Sequence, residues 1–227
     1  MNEILMATLL WLITHLGISS TPLRGVLTAR IGEQAYLGVY SIVALATFGY
    51  LLWVYSDVPR FDYIWLPNPD LYWLAKVTMP IACMLVVGSF MVTNPTMVGV
   101  PLGDPDQARS LTRGVTRITR HPFQWGVVIW AVGHIIANGD YVSVIFFVGF
   151  LILSGFGTVL MDRKKAANDA DAWQAYTQVT SNFPLLAILS GRNKLVISEL
   201  LLPAVVGLVL YALLYYFHEF ITGAVIV

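Results

Sequence analysis

An all-α, polytopic bundle of about six membrane-spanning helices is the fold class this sequence predicts, and three observations predict it. First, 57% of the 227 residues are hydrophobic and 11% are charged, where soluble domains carry roughly 25% charged residues. Second, the apolar residues fall in runs close to the roughly 17–25 residues that cross a bilayer. Third, eleven of the thirteen Lys and Arg residues gather in alternate segments between those runs, the asymmetry that orients membrane helices.

The runs are Ile4–Ser20, Ala35–Tyr55, Leu74–Thr93, Phe123–Ala137, Tyr141–Met161 and Leu200–Ile221. The first has neither a basic leader nor a small-residue cleavage site, so it is expected to be a retained helix. The fourth is short and draws on the Arg-rich segment before it. Arg24 and Arg30 follow the first run. Arg109, Arg113, Arg117 and Arg120 precede the fourth, and Arg163, Lys164, Lys165, Arg192 and Lys194 lie between the fifth and sixth. These three segments are expected in the cytoplasm, with both ends of the chain periplasmic and the protein in the inner membrane. Between Ser56 and Tyr72, aromatic residues and prolines form an interfacial belt with turns. Asp162 to Thr180 is expected to be an amphipathic helix lying on the membrane. Residues 1–227 form one domain without internal repeats.

Several classes are excluded. A net charge of zero does not suit a nucleic-acid partner. The single Cys83 cannot make an internal disulfide. Zinc spacings, nucleophile elbows, phosphate loops and dinucleotide fingerprints do not occur. Acidic residues lie almost entirely outside the runs, which speaks against a proton relay and a transporter.

Three places can carry chemistry. His15 shares a helical face with Thr8, Trp11 and Ser19, and a histidine within a span faces the bundle interior and takes a partner. That partner is a helix–helix hydrogen bond or a bound group. Ser19 to Pro22 read as a helix end and the cap of the next segment. The second place is Gly114 to Gly126. Arg113, Arg117 and Arg120 form a basic face, His121 follows, and Pro122 suits a helix start. These residues serve as membrane anchors or as a site for a phosphate or carboxylate. The third is His134, on a stripe with Gly126, Trp130, Gly133 and Ala137, where small residues admit another backbone or a flat cofactor. Two intramembrane histidines on separate spans are the minimum for bis-histidine haem. His218 sits in an aromatic interface run and receives no role. Gly149, Gly155 and Gly157 read as close-packing positions.

Thr116-Arg117-Ile-Thr-Arg120-His121-Pro122, then Gln124-Trp125-Gly126, Trp130, His134 and Asn138-Gly139, resemble the signature of the NnrU family. So do Asp162-Arg163, Trp173 with Tyr176, Thr180 to Pro184, Gly191-Arg192, and His15 with Leu23-Arg24. The resemblance covers nearly the whole chain. The family is linked to nitric oxide and denitrification, and its plant and cyanobacterial relatives are haem b-binding isomerases of 15-cis-zeta-carotene. It implies haem b on His15 and His134, with Arg117 and Arg120 for the propionates and His121 in reserve as a ligand. A cysteine discussed in the relatives as an alternative ligand is replaced here by Ala131. Depth along the helices pairs His15 more readily with His121 than with His134. The Arg-His-Pro segment is also similar to isoprenylcysteine and phospholipid methyltransferases, with Asp162 nearest to their acidic residue.

The leading expectation is therefore a haem b-binding inner-membrane protein, either a redox-gated isomerase or a denitrification-linked factor. Its partners would be membrane lipid, a small hydrophobic substrate and a membrane redox protein. The alternatives are an S-adenosylmethionine-dependent methyltransferase using His121, and a non-enzymatic accessory subunit of a nitrite or nitric oxide reductase.

Overall fold

The computed structural model describes residues 2–18, 21–97 and 99–223, and among these it is a helical bundle. Helix α1 (Asn2–Leu12) runs on into π-helical turns over Ile13–Ile18 and is followed by α2 (Pro22–Ile31) and α3 (Glu33–Asp57). A loop leads to α4 (Tyr72–Met91). Two short helices, α5 (Pro105–Ser110) and α6 (Val115–Ile118), precede α7 (Pro122–Asn138) and α8 (Tyr141–Asn168). Then come α9 (Ala170–Val179), α10 (Leu186–Leu189), α11 (Ile197–Tyr216) and α12 (His218–Thr222).

Local sequence sets the boundaries. Pro122 occupies the first turn of α7, where its missing N–H costs nothing. Gly139 ends that helix at φ 79°, in the left-handed region. A Cβ there would also strike the Trp65 carbonyl oxygen at 2.2 Å. Asp140 then caps α8 by accepting from Ser143 N–H at 2.8 Å. Asn138, Gly139 and Asp140 thus make the tight turn between α7 and α8. Thr21 Oγ1 likewise accepts from Leu23 N–H at 3.3 Å to open α2; Ser19 and Ser20 lie outside the described residues.

Six helices form a row, α3–α1–α8–α7–α4–α11, and neighbours in it run antiparallel except α1 and α8. The pairs fix the directions. Trp11 meets Phe48 and His15 meets Tyr40. Phe48 meets Phe150 and Tyr55 meets Phe146. Gly126 lies against Ala82 and Val86, and Gly133 against Met79 and Thr78. Gly207 lies against Met84, and Pro203 against Gly88. Along the chain, α1, α3, α4, α7, α8 and α11 therefore alternate in direction, and all three Arg/Lys-rich segments fall at one end, called here the basic end.

α3, α4, α8 and α11 are each long and apolar enough to cross a membrane, and α1 with its π turns adds a fifth span when joined to α2 across a 73° bend. α7, at 17 residues, is the short run the sequence anticipated. Ile42 and Leu45 on α3, and Leu201 and Leu202 on α11, are at least 60% exposed. Helices satisfy their own backbone hydrogen bonds, so such apolar faces can meet lipid directly.

Two expectations are corrected. The polar stretch after Met161 is not one surface helix. Asp162 to Asn168 continues α8, and α9 turns back with Trp173 and Tyr176 buried against Leu102 and Ala108 near α5. Its apolar face therefore packs on the protein itself, which gives it a partner without needing lipid. Gly149 is close-packed, 2.6 Å from Thr8 Cγ2 by its would-be Cβ, but Gly155 and Gly157 face open space.

Candidate functional site

The basic end holds a knot of polar side chains built by the turn before α7. Thr119 is extended and α7 starts at Pro122, so Arg120 and His121 point between helices. Arg120 Nε donates to Asp162 Oδ1 at 2.9 Å, and its Nη2 donates to the other oxygen. His121 Nε2 meets Asp162 Oδ1 at 2.6 Å. Asn182 Nδ2 donates to Asp162 at 3.3 Å, and Trp125 Nε1 donates to Asn182 Oδ1 at 3.3 Å. The guanidinium of Arg120 also lies 5.8 Å from the Trp173 ring centre. Backbone ties complete the knot: Arg120 N–H donates to Ser181 O at 2.9 Å and Thr119 Oγ1 to Asn182 O at 2.5 Å.

A second ion pair stands beside it. Arg117 grips Glu199 with Nε at 2.7 Å and Nη2 at 3.0 Å, while Nη1 donates to Asn193 at 3.0 Å. Glu199 also accepts from Gly114 N–H at 2.6 Å. Such two-pronged pairs are the strong form of arginine–carboxylate contact. Both guanidiniums are thus matched by carboxylates of this chain. Glu199 and Asn193 were not singled out in the sequence; the signal was a lone acid at the start of an apolar run, 82 residues from the Arg-rich segment it meets.

His121 is fully buried. Asp162 accepts from Arg120 with both oxygens and is therefore charged, so the His121 Nε2–H is the donor. Nδ1 then carries the lone pair, buried without a hydrogen-bond partner among the described residues. Burial lowers the pKa of His121 below the ordinary histidine value, and the bond to Asp162 opposes this.

His15 and His134 are built alike, each four residues beyond a tryptophan. His15 Nδ1–H donates to the Trp11 carbonyl at 2.9 Å and His134 Nδ1–H to the Trp130 carbonyl at 2.8 Å. Each bond leaves Nε2 as the lone-pair nitrogen of the ring. Trp11 and Trp130 both pack on Phe150, at 4.5 and 5.2 Å between ring centres. Because α1 and α7 run oppositely, the two histidines leave that aromatic layer in opposite directions. At about 1.5 Å per residue, each stands roughly 6 Å from it along the bundle. His15 lies toward the basic end, near Tyr40, and His134 toward the other end, against Phe147 at 4.7 Å. The Gly126 and Gly133 positions are filled by α4, since a Cβ at either would come within 3.0 Å of it.

Residues 3–226 match the family described as NnrU protein. This chain belongs to the NnrU family. It is 27% identical to 15-cis-zeta-carotene isomerase of Zea mays over 201 residues and 27% identical to that of Arabidopsis thaliana over 207. Each match covers 84% of this chain and 51% of the relative, so the chain spans about half the length of the curated relatives it matches. No solved structure matches it. Of the NnrU signature residues, Arg120, His121, Trp125, Asp162, Trp173 and Asn182 meet in the knot. Arg192 itself caps α9, its Nη1 donating to the carbonyls of Thr177 and Thr180, each at 2.9 Å.

The donor chemistry of this NnrU chain suits a haem in one respect and not in another. An imidazole with Nδ1 tied to a carbonyl and Nε2 carrying a lone pair is prepared as an axial ligand, and His134 is such a group. His15 and His134 do not suit one iron together, because Trp11, Phe150 and Trp130 fill the bundle between them. His121 has its Nε2 committed to Asp162.

Proposed function

We propose that this chain is a membrane isomerase of the kind its relatives are named for, acting on an apolar, double-bond-rich substrate within the bilayer and holding b-type haem at His134. The similarity to 15-cis-zeta-carotene isomerases across 84% of the chain carries the reading. An apolar groove of about 280 Å³ supports it. The groove lies between α4 and α7, lined by Leu74, Thr78, Trp125, Ile129, Val132 and Gly133, the last next to His134. Val132 is 39% exposed at its rim, so a long hydrocarbon can enter from the lipid side.

When bound, haem supplies a redox-active iron. The chain supplies the rest. The Trp130 carbonyl fixes the His134 ring and tautomer. Phe147 and Trp130 wall the ring on the protein side and keep water out. The polar knot at the basic end holds α7, α8 and the segment after α9 in register, and meets the groove at Trp125. A cis–trans isomerisation adds and removes no atoms, which agrees with a groove free of acidic and basic side chains.

The test is conversion of 15-cis-zeta-carotene in cells that accumulate it. Expression of the chain should shift the pigment to the trans form at the 15 position, and His134→Ala should abolish the shift. A wild-type chain that inserts normally and leaves the pigment unchanged would sink the isomerase reading.

A further inference from the structure

We infer that Trp125 is the stop of the apolar groove between α4 and α7. It fixes how deep one extended hydrocarbon chain enters, and so which bond of that chain stands at the other end, between Gly133 and Ile136. This rests on the isomerase reading above and names a residue that sets its choice of substrate.

The groove is long and narrow. Six of its eight lining residues lie on one stripe of α7 at three- and four-residue steps, from Trp125 to Ile136. At about 1.5 Å per residue that stripe is about 16 Å long. The volume of about 280 Å³ spread over that length leaves a section of roughly 17 Å², the width of one chain whose carbons keep about 4 Å from their neighbours. The one hydroxyl in the lining, Thr78 Oγ1, spends its hydrogen on Leu74 O at 2.7 Å. The occupant that suits such a groove is a single unbroken hydrocarbon lying along α7.

One end of the groove is closed. Trp125 is the lining residue nearest the basic end. Beside it the helices touch: a Cβ on Gly126 would lie 2.6 Å from Val86 Cγ2 and 2.9 Å from Ala82 O, so a chain cannot pass between them. The indole is also held in place. Its Nε1 donates to Asn182 Oδ1 at 3.3 Å, and the Phe183 ring meets it edge-on with centres 5.1 Å apart. Asn182 is itself tied down, its Nδ2 donating to Asp162 at 3.3 Å and its carbonyl accepting from Thr119 Oγ1 at 2.5 Å. A chain entering from the lipid therefore meets a fixed aromatic wall.

The test is labelling of membranes that contain the full chain with an unbranched alkyl probe bearing a diazirine on its terminal carbon, mapped by mass spectrometry. In wild type and Trp125→Phe the label should gather at residue 125 and on Phe183. In Trp125→Ala it should move past residue 125 toward the knot, and Leu74→Ala, at the open end, should leave it where it was. Label spread evenly along α7, or as dense on the lipid face of α11, would show ordinary lipid contact and overturn the stop. Conversion of 15-cis polyenes is measured beside it. Trp125→Ala should accept a substrate one isoprene unit longer on one side, several-fold better than wild type does. An active Trp125→Ala protein with unchanged length preference overturns the stop and leaves the isomerase reading standing. A wild type that converts nothing while its label gathers at residue 125 overturns the isomerase reading and leaves the stop.

Discussion

A guanidinium beside hydrocarbon is costly unless a counter-charge meets it, and Arg120 meets Asp162 with both exposed by no more than a fifth. Removing one partner of such a pair strands the other. Arg120→Gln should therefore destabilise the bundle by about 3 kcal/mol, the usual scale for breaking a buried pair. A thermal melt in detergent measures it, and the double variant Arg120→Gln/Asp162→Asn should recover part of the loss. Equal loss in single and double variants would mean the pair itself contributes little. His121 adds a pH dependence. Burial depresses its folded pKa, so the unfolded chain binds a proton that the folded chain refuses. The stabilisation from keeping it neutral is present above about pH 6.5 and declines as pH falls below that. Between pH 7 and 5.5 the melting temperature of wild type should fall more steeply than that of His121→Asn. Parallel slopes would show that His121 does not titrate with unfolding.

Among the elements, α4 is the one most constrained by its neighbours. It is pressed on both sides by glycines of other helices, Gly126 and Gly133 from α7 and Gly207 from α11. A Cβ on Gly207 would lie 2.6 Å from the Met84 Cα, an obstacle of backbone that cannot swing aside. Gly207→Ala should therefore cost about 1–3 kcal/mol by overpacking, while Gly155→Ala, facing open space, should be neutral or slightly stabilising through helix propensity. Paired melts of the two variants decide it; a tolerated Gly207→Ala would mean that α4 and α11 slide apart readily. The same interface sets the reach of α11, and with it the position of His218 beside His134.

For the molecule as a whole, the alternating directions of six helices place eleven cations at one end. By the positive-inside rule that end is expected in the cytoplasm and His134 toward the periplasmic side. A periplasm-active reporter inserted in the loop at Asn68 should be active, and one inserted after Asp106 inactive. The reverse pattern would invert the orientation. Reporter activity on the same side at both points would break the alternation through α4.

Composition, run length and charge asymmetry determined the membrane class, the helical bundle and the segments that gather at one end, because the bilayer constrains these through local properties of the chain. The tight turn at Gly139 and the start of α7 at Pro122 were likewise written in short motifs. The sites were legible only in part. His134 and the Arg120–His121 segment stood out as costly residues near hydrocarbon, and Asp162 and the Asn182 stretch through the family resemblance, but the pairings did not, since Asp162, Asn182, Glu199 and His218 lie between 41 and 84 residues from the side chains they meet. The sequence paired His15 with His134 as the two histidines within spans. Tertiary structure set them on opposite sides of the Trp11–Phe150–Trp130 layer and placed the His218 ring 6.4 Å from that of His134. Helix direction and packing order decide which side chains share a depth, and neither is a property of any one segment.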